Sequence, residues 1–191
     1  MANFICSNCQ KKIENPFFCN NCLQLQKSLK GYPNYFELFS LPTNKFTIDI
    51  NSLSSRVESL LFDIHPDLFA QASIVEQRLA LKYTTYIHEA EECLKSPVNR
   101  GIYLCKTFST ESVVQIKTSN DFLKKIFLFQ EELEQKNGQE KEELLKVVKK
   151  NIQEIENELD DKFTSNVNVK DNFLEEISYL LGELKYWLNV K

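Results

Sequence analysis

Two sets of residues in this chain have the types and spacing to do chemistry. The first is Cys6-x-x-Cys9 followed by Cys19-x-x-Cys22, two spaced pairs separated by nine residues. Two such knuckles can offer four thiolates to one tetrahedral ion, so the spacing points to zinc. The ion would be structural, because four thiolates fill its coordination sphere and leave no position for water or substrate. Asn8, Asn20 and Asn21 lie inside the knuckles, where left-handed backbone is tolerated. A thioredoxin-like use of either pair would need a βαβ setting, which the surrounding residues do not provide. Cys93 and Cys105 stand alone in helical patterns and read as ordinary core thiols.

The second set is His65-Pro66-Asp67. A catalytic histidine needs a partner and a pocket. The other histidine, His88, has no acidic or cysteine partner in a matching motif, and the chain has no glycine-rich phosphate loop or nucleophile elbow. An enzyme is not indicated. The tripeptide falls between two helical patterns, just past the end of the first apolar stripe. It reads either as an exposed loop with a fixed turn or as a docking tip. In the second case Pro66 restricts the backbone, while His65 and Asp67 offer a partner protein a donor and a charged acceptor.

Helices must position both sets. Residues 34–41 (NYFELFSL) predict a short helix closed by Pro42. Asp49 caps a helix to about Ile64, with Leu53, Val57, Leu60, Leu61 and Ile64 on one face. Ser73 starts another that runs to about Lys95, with Val75, Leu79, Tyr83, Tyr86, Ile87, Ala90 and Leu94 inward; Ser96-Pro97 stops or bends it. A short helix over 100–108 and a Ser/Thr-rich linker over 109–119 follow. Three more helical patterns span 120–136, 139–163 and about 169–190, the last with Phe173, Ile177, Leu180, Leu181, Leu184 and Leu188 in its stripe. The chain is therefore expected to be all-α, with a cysteine module at 1–31, a helical hairpin and connecting helix at 32–108, and a three-helix bundle at 109–191.

In the helix over 120–136, Phe122, Ile126, Phe129 and Leu133 share one face and account for a core. Leu123 and Phe127 lie beside that face and Leu128 points away from it. In the last helix, Tyr179 and Tyr186 lie opposite the core stripe. Apolar groups over so much of a helix imply full burial or docking, and docking of a partner protein is the stronger reading.

The composition fits this architecture. The 191 residues are 42% hydrophobic and 26% charged, with 4 Gly and 5 Pro. The net charge of -4 argues against a nucleic-acid partner held by bulk electrostatics, and no apolar run reaches the length of a membrane span. The cysteine distribution, with no export signal ahead of it, favours reduced thiols.

Read in order, these motifs resemble a family, the HscB-type J-protein co-chaperones of iron–sulfur cluster assembly. NYFELFSLP at 34–42 looks like the family's opening helix, and HPDLF at 65–69 looks like its J loop. SPVNRGIYL at 96–104 is similar to its connecting segment, and FLKKIFLFQEEL at 122–133 to its first bundle helix. The four-cysteine extension resembles that of animal-type members. The resemblance implies a J-domain that stimulates the ATPase of a DnaK-type chaperone through His65, Pro66, Asp67 and Arg56. It implies a bundle that binds an IscU-type scaffold protein through Leu123, Lys124, Phe127, Leu128, Glu131 and Tyr186, and leaves room for a homodimer. Cys6, Cys9, Cys19 and Cys22 would hold one zinc ion. A general J-domain adaptor with another client is the alternative. The helix ahead of the loop is less basic than is usual in the family, since Arg56 is joined by Glu58 and Asp63, so the tripeptide is expected to carry more of the chaperone contact. Animal-type relatives imply mitochondria, whereas the visible sequence, without a presequence, points to the cytoplasm.

Overall fold

The computed structural model describes residues 4–27, 32–108, 114–165 and 172–190. They form two compact units, the first built from residues 1–43 and 48–96 and the second from 44–47 and 97–191.

In the first unit, two small hairpins hold the cysteines. Strands β1 (Phe4–Ile5) and β2 (Lys12–Ile13) pair antiparallel with Phe4 opposite Ile13, and β3 (Phe18–Cys19) and β4 (Gln24–Leu25) pair with Phe18 opposite Leu25. Helix α1 (Tyr35–Leu38) opens on a capping box between Asn34 and Glu37. Helix α2 (Ile50–Ile64) starts where the Asp49 side chain accepts from the Asn51 amide, and α3 (Ile74–Lys95) starts on a Ser73–Glu76 capping box. The two long helices form a hairpin that buries Leu53, Val57, Leu60 and Ile64 of α2 and Ala80, Tyr83, Ile87, Ala90 and Leu94 of α3. Val75, expected on the inner face of α3, is 60% exposed because it precedes the stretch where the helices meet.

The cysteine module shares the hairpin's core. Phe17 is fully buried and its ring stacks on Tyr83 of α3 at 4.5 Å, while the Tyr83 hydroxyl donates to the Gln26 carbonyl. A boundary at residue 31 is therefore not a boundary of packing: the module and the hairpin belong to one unit.

The second unit contains α4 (Pro97–Phe108), α5 (Asn120–Gln135), α6 (Gly138–Ser165) and α7 (Phe173–Leu188). Pro97 opens α4, where its missing N–H costs nothing. Helix α7 lies against each of the other three. The expected boundary at residue 108 thus shifts to 96, since α4 belongs with the bundle. In α7 the stripe turns to Trp187, which is 2% exposed, and leaves Leu188 39% exposed. The larger indole takes the inner position, edge-on to Phe122 and Phe129. Part of the expected linker, 109–113, and the expected first residues of the last helix, 169–171, lie outside the described residues. Residues 114–119 run across α7, with the Lys117 amide donating to the Ser178 carbonyl at 3.2 Å. Gly182 permits that crossing, because a β-carbon there would collide with the Lys117 carbonyl.

Phe46, from the loop between α1 and α2, is fully buried in this unit. Its ring stacks on Phe163 at 6.3 Å and lies under the Arg100 guanidinium at 4.7 Å. The Asp160 carboxylate accepts from the backbone amides of Phe46 and Thr47 at 2.6 and 2.8 Å.

Candidate functional site

The two hairpins of the cysteine module bring Cys6, Cys9, Cys19 and Cys22 together, with all four sulfurs within 4.8 Å of one another. Cys6 Sγ lies 3.6 Å from Cys22 Sγ, and Cys9 Sγ lies 3.7 Å from Cys19 Sγ. Sulfurs at the corners of a tetrahedron around an ion at Zn–S distance would be about 3.8 Å apart, so the four thiols fit such a metal. Hydrogen-bond donors face two of the sulfurs. The Asn8 and Cys9 amides both point at Cys6 Sγ from 3.4 Å, the Gln26 side chain donates to the same sulfur at 3.5 Å, and Asn21 donates to Cys9 Sγ at 3.4 Å.

The Cys9 amide, helped by Asn8 and Gln26 and opposed by burial, pulls the Cys6 thiol down to about 6. Cys22 moves the other way, to about 11: the Asn8 side chain pulls it down, but burial and the three neighbouring sulfurs outweigh that pull. A cation among the four would relieve this mutual penalty and hold all of them as thiolates. Left-handed backbone occurs at Gln10 and Leu23, one residue past each knuckle, and not at the asparagines inside them. It is needed there to turn the chain back after the second thiol of each pair. Cys105 is buried, and burial pushes its thiol up to about 12, consistent with an inert core group.

His65, Pro66 and Asp67 come together at the turn of the hairpin. His65 ends α2, and Pro66 opens a 3-10 turn over Pro66–Phe69. The Asp67 amide donates to His65 Nδ1 at 3.3 Å. An accepting Nδ1 leaves the Nε2–H of the neutral ring as the outward donor. The His65 and Asp67 side chains are 57% and 91% exposed, so neither is committed to the core. Arg56 is placed differently. It is half-buried, its guanidinium donates to Ser40 Oγ at 3.1 Å, and it lines a small cleft beside Asn15 and Asp63. Phe62, one turn before the tip and 81% exposed, was not singled out by the sequence. Its place outside the apolar stripe of α2 was the available signal.

On α5, Phe127 and Leu128 are 59% and 63% exposed, Lys124 and Glu131 are exposed, and Leu123 is half-buried. Spacings of three and four place these five residues on one continuous strip. Tyr186 of α7 is 37% exposed and sets its ring edge-on to Phe122 of α5 at 6.2 Å, which links the two helices on that side.

Comparison with known proteins places this arrangement. Residues 118–191 match the model of the HSCB C-terminal oligomerisation domain. The Co-chaperone protein HscB homolog of Vibrio vulnificus is 35% identical over 139 residues, covering 67% of this chain and 81% of the relative. The chain belongs to the HscB family. The mouse Iron-sulfur cluster co-chaperone protein HscB is 27% identical over 97% of this chain and 79% of its own length. The crystal structure of human co-chaperone protein HscB superposes with a TM-score of 0.73 at 27% identity, over 97% of this chain and 94% of that one. The bacterial relative leaves a third of this chain unmatched, whereas the mammalian HscB proteins span nearly all of it, in keeping with an animal-type member. Within the HscB family model, the matched segment holds α5, α6 and α7, and so the whole apolar strip on α5.

Proposed function

We propose that this protein is a co-chaperone of iron–sulfur cluster assembly with two docking surfaces. The hairpin tip engages a DnaK-type chaperone and stimulates its ATPase. The α5 strip with Tyr186 binds an IscU-type scaffold protein and brings it to that chaperone. One zinc ion on the four cysteines holds the N-terminal module together. The observation that carries this reading is the exposed, conformationally fixed His65-Pro66-Asp67 tip in a chain of the HscB family.

Physical arguments support both surfaces. The tip is preorganised by Pro66 and by the Asp67-to-His65 hydrogen bond, so little conformational freedom is lost on docking. Phe62 supplies an apolar anchor next to it, and Phe127 and Leu128 supply anchors on α5. Arg56 keeps its positive charge, since its guanidinium donates to the neutral Ser40 hydroxyl, and it adds a cation to the chaperone surface.

The test pairs the protein with the DnaK-type chaperone and scaffold of its own organism. His65→Gln should abolish ATPase stimulation, and Leu123→Ala with Phe127→Ala should weaken scaffold binding at least about tenfold, the loss of one to two kcal/mol expected of apolar anchors, with unchanged helicity. Wild-type stimulation by His65→Gln, or unchanged scaffold affinity by titration calorimetry, would refute the corresponding half.

A further inference from the structure

Helix α2 ends badly by itself. Its last turn contains no basic residue, and Asp63 puts a carboxylate at the negative end of the helix dipole. A donor that faces this carboxylate comes from the cysteine module. Asn15, only 5% exposed, lies in the turn between β2 and β3, and its Nδ2 donates to the Leu60 carbonyl at 3.1 Å and to the Asp63 carboxylate at 3.3 Å. Its Oδ1 accepts from the Phe17 amide at 3.0 Å, which fixes the direction of the amide group. Asp63 lies two residues, and Leu60 five residues, before His65 of the tip.

We propose that the cysteine module steadies the end of α2, and that Asn15 is the positioning residue through which the metal site acts on the tip. Asn15 lies on the stretch between Cys9 and Cys19, whose ends a bound ion would pin. Each hairpin of the module has only two paired residues per strand, too few to persist alone. Gln26, 2% exposed, ties the thiols to the other helix: Nε2 donates to Cys6 Sγ, Oε1 accepts from the Ser7 amide and hydroxyl, and its carbonyl accepts from Tyr83. With the ion gone, the ends of the Cys9–Cys19 stretch are no longer pinned, and the Asn15 bonds to α2 loosen although Phe17 stays buried beside Tyr83. The bearing on a chaperone rests on the function proposed above; the coupling itself does not.

The test uses the full chain loaded with zinc. Asn15→Asp keeps the oxygen that receives the Phe17 amide but turns an acceptor toward Leu60 and Asp63. Amide hydrogen exchange over 61–69 should then be roughly tenfold faster, as expected for loss of a buried hydrogen bond to a charged group, with exchange over 82–90 unchanged. Adding Asp63→Asn restores a donor to the pair and should recover most of the protection. Chelation should speed exchange over 61–69 in the wild type and add little in Asn15→Asp. Equal exchange in wild type and Asn15→Asp, a rise shared equally by 82–90, or indifference of 61–69 to chelation overturns the proposal. Should Asn15→Asp release metal, recovery of metal content on adding Asp63→Asn supports the coupling, which is reciprocal, and no recovery overturns it. With the chaperone present, Asn15→Asp should raise the concentration for half-maximal stimulation and leave the maximum in place. A chaperone that ignores the wild type refutes the proposed function and leaves the exchange result standing.

Discussion

Leu23 has φ 55 and is 73% exposed. A branched side chain in left-handed backbone carries a steric cost, and one with little packing gains little in return. Leu23→Gly is therefore expected to stabilise the first unit by about 0.5–1 kcal/mol, read as a raised melting temperature at unchanged metal content. A lowered melting temperature would show that the side chain is held by something other than the backbone. The four thiols were legible in the sequence because spacing alone defines a knuckle. The left-handed positions were not, because the asparagines suggested the inside of each knuckle, whereas the turn-back falls one residue later. Asn15 and Gln26 were illegible for another reason: their partners lie 45 and 57 residues away, and no local pattern marks an amide that serves a distant helix.

Among the elements, the starts of α2, α3 and α5 were legible, whereas α4 opens at Pro97, three residues before the expected Arg100. Asp49, Ser73 with Glu76, and Ser119 are each the first side chain able to accept from the opening amides. The inner face of α7 was harder to read, because Trp187 and Leu188 both continue a helical stripe and only packing against Phe122 and Phe129 decides between them. Gly182 belongs to the same helix, and its role became apparent only with 114–119 laid across it. Gly182→Ala should cost about 1–3 kcal/mol by overpacking, lower the melting temperature and speed exchange of the Lys117 amide, which is bonded to the Ser178 carbonyl. An unchanged Lys117 amide would mean that the helix yields instead of the crossing segment.

For the whole molecule, the all-α class and the order of hairpin and bundle followed from periodicity, but the division between units did not. Residues 44–47 lie in the loop between α1 and α2, and nothing local reveals that Phe46 fills a site beside Phe163. Phe46→Ala should cost the second unit about 3–5 kcal/mol, seen as faster exchange along α6 with α3 unaffected; equal loosening of both helices would contradict the assignment.

The same residue bears on the order of events at the ribosome. Asp160, which receives the Phe46 and Thr47 amides, is made 114 and 113 residues after them. Throughout that interval α2 and α3 can pair while the aromatic side chain ahead of α2 lacks its Phe163 and Asp160 partners. The core of the second unit therefore joins an early-made residue to late-made ones, and the nascent chain carries Phe46 without its Phe163 partner until α6 has been synthesised.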